Sequence, residues 1–138
     1  HTGLMRLSNI PARRLSVGEQ QRLAVARAWC LDPEVLFLDE PTAALDPAAT
    51  YSLERIIDEI KRSGTKIIMT THDLGQAQRL ADEILFFYRG RLLEQASAKQ
   101  FFDQPKNDLA QSFLRGELLW WTRKELKPPA KINYRSGI

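Results

Sequence analysis

Asp39 and Glu40 directly follow the apolar run Val35-Leu36-Phe37-Leu38. A strand holds its last residues rigidly and points successive side chains to opposite sides, so two adjacent carboxylates can take different tasks. One is suited to Mg2+, which prefers hard oxygen ligands and usually keeps its waters. The other can accept a proton from an attacking water. The plainer use of such a pair is to cap the element that follows. His72 closes a second apolar run, Ile67-Ile68-Met69, after Thr70-Thr71. There it can donate to a phosphate oxygen or serve as an ordinary structural hydrogen-bonder. Asp46 precedes Pro47, a strong helix start, and its plain reading is an N-cap. In Leu15-Ser16-Val17-Gly18-Glu19-Gln20-Gln21-Arg22, Ser16 offers a hydroxyl and Gly18 allows close backbone approach. A helix beginning there has free N–H groups and a dipole that attract anions, although a capped helix with no ligand has the same pattern.

These residues need rigid elements to position them. Ser16 with Glu19 has capping-box spacing and starts a helix over 15–31, with Leu23, Ala26 and Cys30 on its inward face and Asp32-Pro33 ending it. Val35–Leu38 and Ile67–Met69 read as strands buried on both faces, as in parallel sheets. Between them, Leu53, Ile56, Ile57 and Ile60 give a helix with one apolar face, stopped by Gly64. A further helix runs through Ala81 to a strand over Ile84–Tyr88, which Arg89-Gly90 turns into a hairpin with 91–95. Short helices follow over 97–102 and 108–119. The alternation argues an α/β domain with a mainly parallel sheet, whose ligands bind beyond the carboxyl ends of the strands. Asp39, Glu40 and His72 all fall at that edge.

Composition sets the outer bounds. With 138 residues, 43% hydrophobic and 27% charged, the chain has the make-up of one globular domain and too much apolar surface to be wholly disordered. Its longest apolar run, Ile84–Tyr88, falls far short of the ~18–20 residues of a membrane span. The single cysteine, Cys30, excludes a disulfide framework, and no secretory signal pattern opens the chain. Net charge is +3, but the excess sits in the tail, where Arg115, Arg123, Lys124, Lys127, Lys131 and Arg135 face only Glu117 and Glu125. The basic balance therefore gives no reason to expect nucleic-acid binding by the folded part.

The order Leu15-Ser16-Val17-Gly18-Glu19, then Val35–Glu40, then Ala44-Leu45-Asp46, then Thr71-His72-Asp73 resembles the ATPase subunits of ABC transporters over about residues 12–105. Four ordered motifs are far more specific than any one of them. The resemblance implies part of a P-loop NTPase fold, with ATP and Mg2+ as cofactors. It makes Asp39 the Mg2+ ligand, Glu40 the catalytic carboxylate and His72 the histidine that contacts the terminal phosphate. It makes Ser16, Val17, Gly18 and Glu19 the signature segment, which acts on ATP held by a second subunit, and Asp46 the acid of the loop beside it. Val17 and Glu19 depart from the usual Leu-Ser-Gly-Gly-Gln, and Ala43 stands where a serine is usual. The implied partners are a second ATPase subunit in a head-to-tail dimer, transmembrane permease subunits and, indirectly, a solute-binding protein. The implied location is the cytoplasmic face of the membrane. Leu15–Arg22, Thr71–Ala77 and Phe113–Trp120 further resemble importer subunits for oxyanions, particularly tungstate or molybdate.

No Gly-x-x-x-x-Gly-Lys-[Ser/Thr] run occurs in the sequence, so the usual cradle for ATP phosphates is not supplied by these residues. The chain is accordingly expected to be the C-terminal part of an ATPase, begun inside a longer reading frame, inactive alone and with apolar surface exposed. The expected organisation is an ATPase part over 1–105, a helix over 106–121 that includes Trp120 and Trp121 as packing groups, and a basic tail over 122–138. A non-transport ABC ATPase serving translation or DNA maintenance, or an ATPase-dead remnant acting as a binding module, stays open as an alternative.

Overall fold

Local signals set the element boundaries. The computed structural model describes Gly3 and residues 5–117. Two short 3-10 turns, Met5–Leu7 and Ala12–Arg14, lead into helix α1, Val17–Trp29. Ser16 caps α1 through a complete capping box with Glu19. Strand β1, Val35–Asp39, is followed by helix α2, Pro47–Arg62, whose N-cap is Asp46 and whose first residue is Pro47. Gly64, at φ 102°, provides the left-handed stop. Strand β2, Lys66–Thr70, and helix α3, Leu74–Leu80, follow, with Asp73 as the N-cap of α3.

β1 and β2 pair in parallel, with Asp39 opposite Thr70 at the carboxyl end. Their inward residues Leu36, Leu38, Ile67 and Met69 pack with Val25 of α1 and with Leu53, Ile56, Ile57 and Ile60 of α2. Leu53 and Ile60 are fully buried. The α/β arrangement with a parallel sheet is thus present.

Two details differ from the sequence reading. The strands were expected to be buried on both faces, yet Phe37 is 71% exposed and Ile68 43%. Both helices pack on one face of this two-stranded sheet, and no element of the same unit packs on the other. The inward stripe of α1 is Gly18, Val25, Ala28 and Trp29, whereas Cys30 is exposed and Leu23 and Ala26 are half-buried. Small and apolar residues lie all round α1, so periodicity alone does not choose the face. Gly18 chooses it, because a Cβ there would lie 2.9 Å from the Ala49 Cβ.

The described residues form two compact units that divide between Ala81 and Asp82. In the second, strand β3, Glu83–Tyr88, pairs antiparallel with β4, Arg91–Ser97, through the expected hairpin. Arg89 and Gly90 both have positive φ, as a two-residue type I′ turn requires. Helices α4, Ala98–Asp103, and α5, Asp108–Leu114, complete the unit around Phe86, Ala96, Phe101 and Ala110. The expected helix over 108–119 stops at Leu114. Gly116 takes φ 73°, and the N–H groups of Gly116 and Glu117 return to the carbonyls of Phe113 and Ser112. This Schellman arrangement ends a helix. Trp120, Trp121 and the tail over 122–138 lie outside the described residues.

Candidate functional site

The carboxyl ends of β1 and β2 bring Asp39, Glu40 and His72 together. The Thr70 hydroxyl donates to Asp39 Oδ1. The Glu40 N–H donates to Thr70, to its carbonyl at 3.2 Å and its Oγ1 at 3.1 Å. Glu40 has φ 42°, a left-handed conformation that costs a residue with a Cβ roughly 1–3 kcal/mol and collects at functional sites. The turn directs the Glu40 side chain towards the end of β2, where Oε1 lies 2.8 Å from His72 Nδ1. The hydrogen bond to the Glu40 carboxylate, then its charge, holds the His72 imidazole above its usual range, with a smaller contribution from Asp73. The pair borders a cleft of about 570 Å³, which Thr42, Thr50, Asp73 and Arg79 also line.

The remaining expected residues form a separate group. An open cleft of about 550 Å³ is lined by Ser16, Val17, Gly18, Glu19, Arg22 and Asp46, among others. Here Ser16, Glu19 and Asp46 each have a local partner. Ser16 N–H and Oγ donate to Glu19 Oε2 at 2.7 and 2.9 Å. These bonds, with the nearby Arg22 charge, hold the Glu19 carboxyl below its usual range. Asp46 Oδ1 accepts from the Ala49 N–H at 2.9 Å, which is the plain cap. Gly18 makes a close approach to α2. Val17 is 59% exposed at the rim. Arg22 Nε is the exception, buried with no hydrogen-bond partner among the described residues. An orphaned cationic donor beside a helix N-terminus suits an anion.

Sequence reasoning missed a third group. Thr42, Glu54, Gln76 and Arg79 join the loop after β1 to α2 and α3 by side-chain hydrogen bonds. Glu54 beside Leu53 on the apolar flank of α2 is the one signal that could have found it.

The residues present fit part of an Mg2+–ATP site. Asp39 can hold Mg2+ through water, Glu40 faces the cleft, and His72 has a ring nitrogen left over. Among the described residues no cluster of three or more His, Cys, Asp or Glu side chains could hold a metal alone.

A family model described as "AAA domain, putative AbiEii toxin, Type IV TA system" matches residues 6–75, half of the chain. The chain belongs to this AAA-domain family. It is 50% identical over 107 residues to the phosphate import ATP-binding protein PstB of Mycoplasmoides gallisepticum, covering 78% of this chain and 33% of that protein. It is 46% identical over 110 residues to the protein of the same name from Thermotoga maritima, covering 80% and 43%. With that of Pyrobaculum aerophilum it shares 45% over 108 residues, covering 78% and 43%. The similarity to these ATP-binding proteins covers about four-fifths of the chain. The chain spans between a third and somewhat over two-fifths of the length of these relatives. Their names give no support to the narrower expectation of tungstate or molybdate. Among the described residues no helix is long and apolar enough to cross a membrane.

Proposed function

We propose that these residues are the hydrolytic part of an ATPase subunit of an ABC importer, with phosphate as the imported oxyanion. The observation that carries the reading is the Glu40–His72 contact of 2.8 Å at the carboxyl edge of the parallel strands. Phosphate replaces tungstate or molybdate in the proposal because the relatives are named for phosphate import.

Bound Mg2+–ATP would supply the terminal phosphoryl group, which a solvent water would take up with ADP as the leaving group. In the proposal, Glu40 takes the proton from that water, and its φ of 42° already aims the carboxylate into the cleft. Thr70 holds one oxygen of Asp39, and the Asp39 carboxylate would hold Mg2+ through water. His72 keeps Glu40 oriented through Nδ1 and offers Nε2 to a phosphate oxygen. Ser16, Val17, Gly18 and Glu19, with Arg22 behind them, face the phosphates of a second subunit, and Asp46 lies at the same cleft. The permease subunits, the solute-binding protein and a peripheral place on the cytoplasmic face of the membrane complete the proposal.

The test uses these residues within their complete subunit. Glu40→Gln keeps the size but cannot take the proton, so turnover should fall by ~10²–10⁴-fold with ATP binding retained. Asp39→Asn should instead raise the Mg2+ concentration needed for half-maximal turnover. Near-normal turnover in Glu40→Gln overturns the base assignment. Uptake of labelled tungstate in preference to labelled phosphate, by the assembled importer, overturns the solute.

A further inference from the structure

Gln76 is fully buried although it sits on a seven-residue helix whose neighbours Gly75 and Arg79 reach solvent. Burying an amide is costly unless it is hydrogen-bonded, and Gln76 has the partners. Its side-chain nitrogen donates to Thr42 Oγ1 at 2.9 Å and to Glu54 Oε1 at 3.2 Å. The Thr42 hydroxyl lies 3.3 Å from the amide oxygen. Glu54 is also held by Arg79, whose Nε donates to Oε2 at 3.1 Å and whose Nη2 donates to Oε1 at 2.7 Å. The Gln76 N–H also donates to Asp73 Oδ1 at 3.0 Å, next to His72.

Thr42 lies between Glu40 and Asp46 in the loop that borders both clefts. That loop has few bonds of its own. Among them are Ala43 N–H to the Glu40 carbonyl at 3.2 Å and Leu45 N–H to the Thr42 carbonyl at 3.0 Å. We infer that Gln76 is a positioning residue, a clasp that fixes the loop carrying Glu40 and Asp46 to the helix that follows His72. Glu54 and Arg79 set the direction of its amide. Through Thr42 the clasp ties one cleft to the other, and its bearing on turnover rests on the ATPase reading above.

The first arm needs no nucleotide. Amide hydrogen exchange is measured on the 138-residue chain and on Gln76→Leu, Thr42→Val, Thr42→Ser and the double variant Thr42→Val/Gln76→Leu. Gln76→Leu and Thr42→Val should each speed exchange at Ala43 and Leu45 by about tenfold, leaving Ile56, Ile57 and Ile60 of α2 unchanged. Thr42→Ser, which keeps the hydroxyl, should stay near the unsubstituted chain, and the double variant should add little to either single one. Equal acceleration in the loop and in α2, or none in the loop, overturns the clasp. The second arm is turnover in the complete subunit, where Gln76→Leu should lower kcat by about tenfold with the KM for ATP within about twofold. Unchanged kcat beside a loosened loop overturns the link to hydrolysis. If the unsubstituted subunit shows no hydrolysis sensitive to Glu40→Gln, the ATPase reading fails, and the exchange arm still decides the clasp.

Discussion

The cleft at the start of α1 and the edge formed by β1 and β2 are built in opposite ways. In the first, Ser16 is satisfied by Glu19 and Asp46 by Ala49, each three residues away. In the second, Glu40 reaches His72 and Thr70 reaches Asp39 across more than thirty residues of sequence, and Glu40 sits in a strained backbone conformation. Short-range caps are stable wherever a helix starts, and they exist without any ligand. A strained acid held against a histidine just beyond another strand is maintained only by the surrounding fold. On the proposed function, the bond-making chemistry belongs at the strand edge. It leaves the α1 cleft as a preformed surface that an anion can enter by displacing Glu19 from Ser16 or by meeting the unpaired Arg22 nitrogen.

The substitution expected to have the largest effect on folding is Gly18→Ala, which tests whether the α1 cleft is shaped by packing. The added Cβ would fall 2.9 Å from that of Ala49, and neither atom is the tip of a flexible side chain. Overpacking of this kind costs about 1–3 kcal/mol, to be read from urea or thermal unfolding. Adding Ala49→Gly should recover part of the loss. No recovery would mean that Gly18 matters for a reason other than its approach to α2.

A smaller loss is expected from Ser16→Ala, about 0.5–2 kcal/mol for a lost N-cap. Part of it should depend on pH. The Glu19 carboxyl is held below its ordinary value of 4.5 by Ser16 and Arg22. Its contribution is therefore present above that value and lost as pH falls through the lowered one. Ser16→Ala should remove much of this acid dependence. An unfolding curve with the same acid dependence in both proteins would show that the capping box is not its source.

How far the sequence could be read follows the same division. The caps of α1 and α2 were legible because their partners lie within one turn of the chain, and the stripe Leu53, Ile56, Ile57 and Ile60 was legible because all four face one way. Glu40 and His72 could be placed at one edge because both end apolar strands, although their contact could not. Gln76 was invisible, since a glutamine among polar helix residues reads as surface, and its partner Thr42 lies 34 residues away. Phe37 misled the reading because an unbroken apolar run does not reveal that helices cover only one side of the sheet.

The smallest expected effect bears directly on the strand edge. The Glu40 carboxylate raises the His72 imidazole above its ordinary value of 6.5 through a hydrogen bond and its charge. A raised value in the folded protein means that any stability from the pair is fully present below 6.5 and lost as pH rises through the raised value. Because His72 is 76% exposed, solvent screens the pair and little stability is at stake. The informative quantity is the titration itself, followed by the ring-proton shifts of His72 in nuclear magnetic resonance. In the unsubstituted chain the midpoint should lie above 6.5, and in Glu40→Gln it should return towards 6.5, because an amide brings no charge to the ring. A midpoint unchanged by Glu40→Gln would mean that Glu40 and His72 do not interact in solution. The strand edge would then lose the long-range contact that distinguishes it from the α1 cleft.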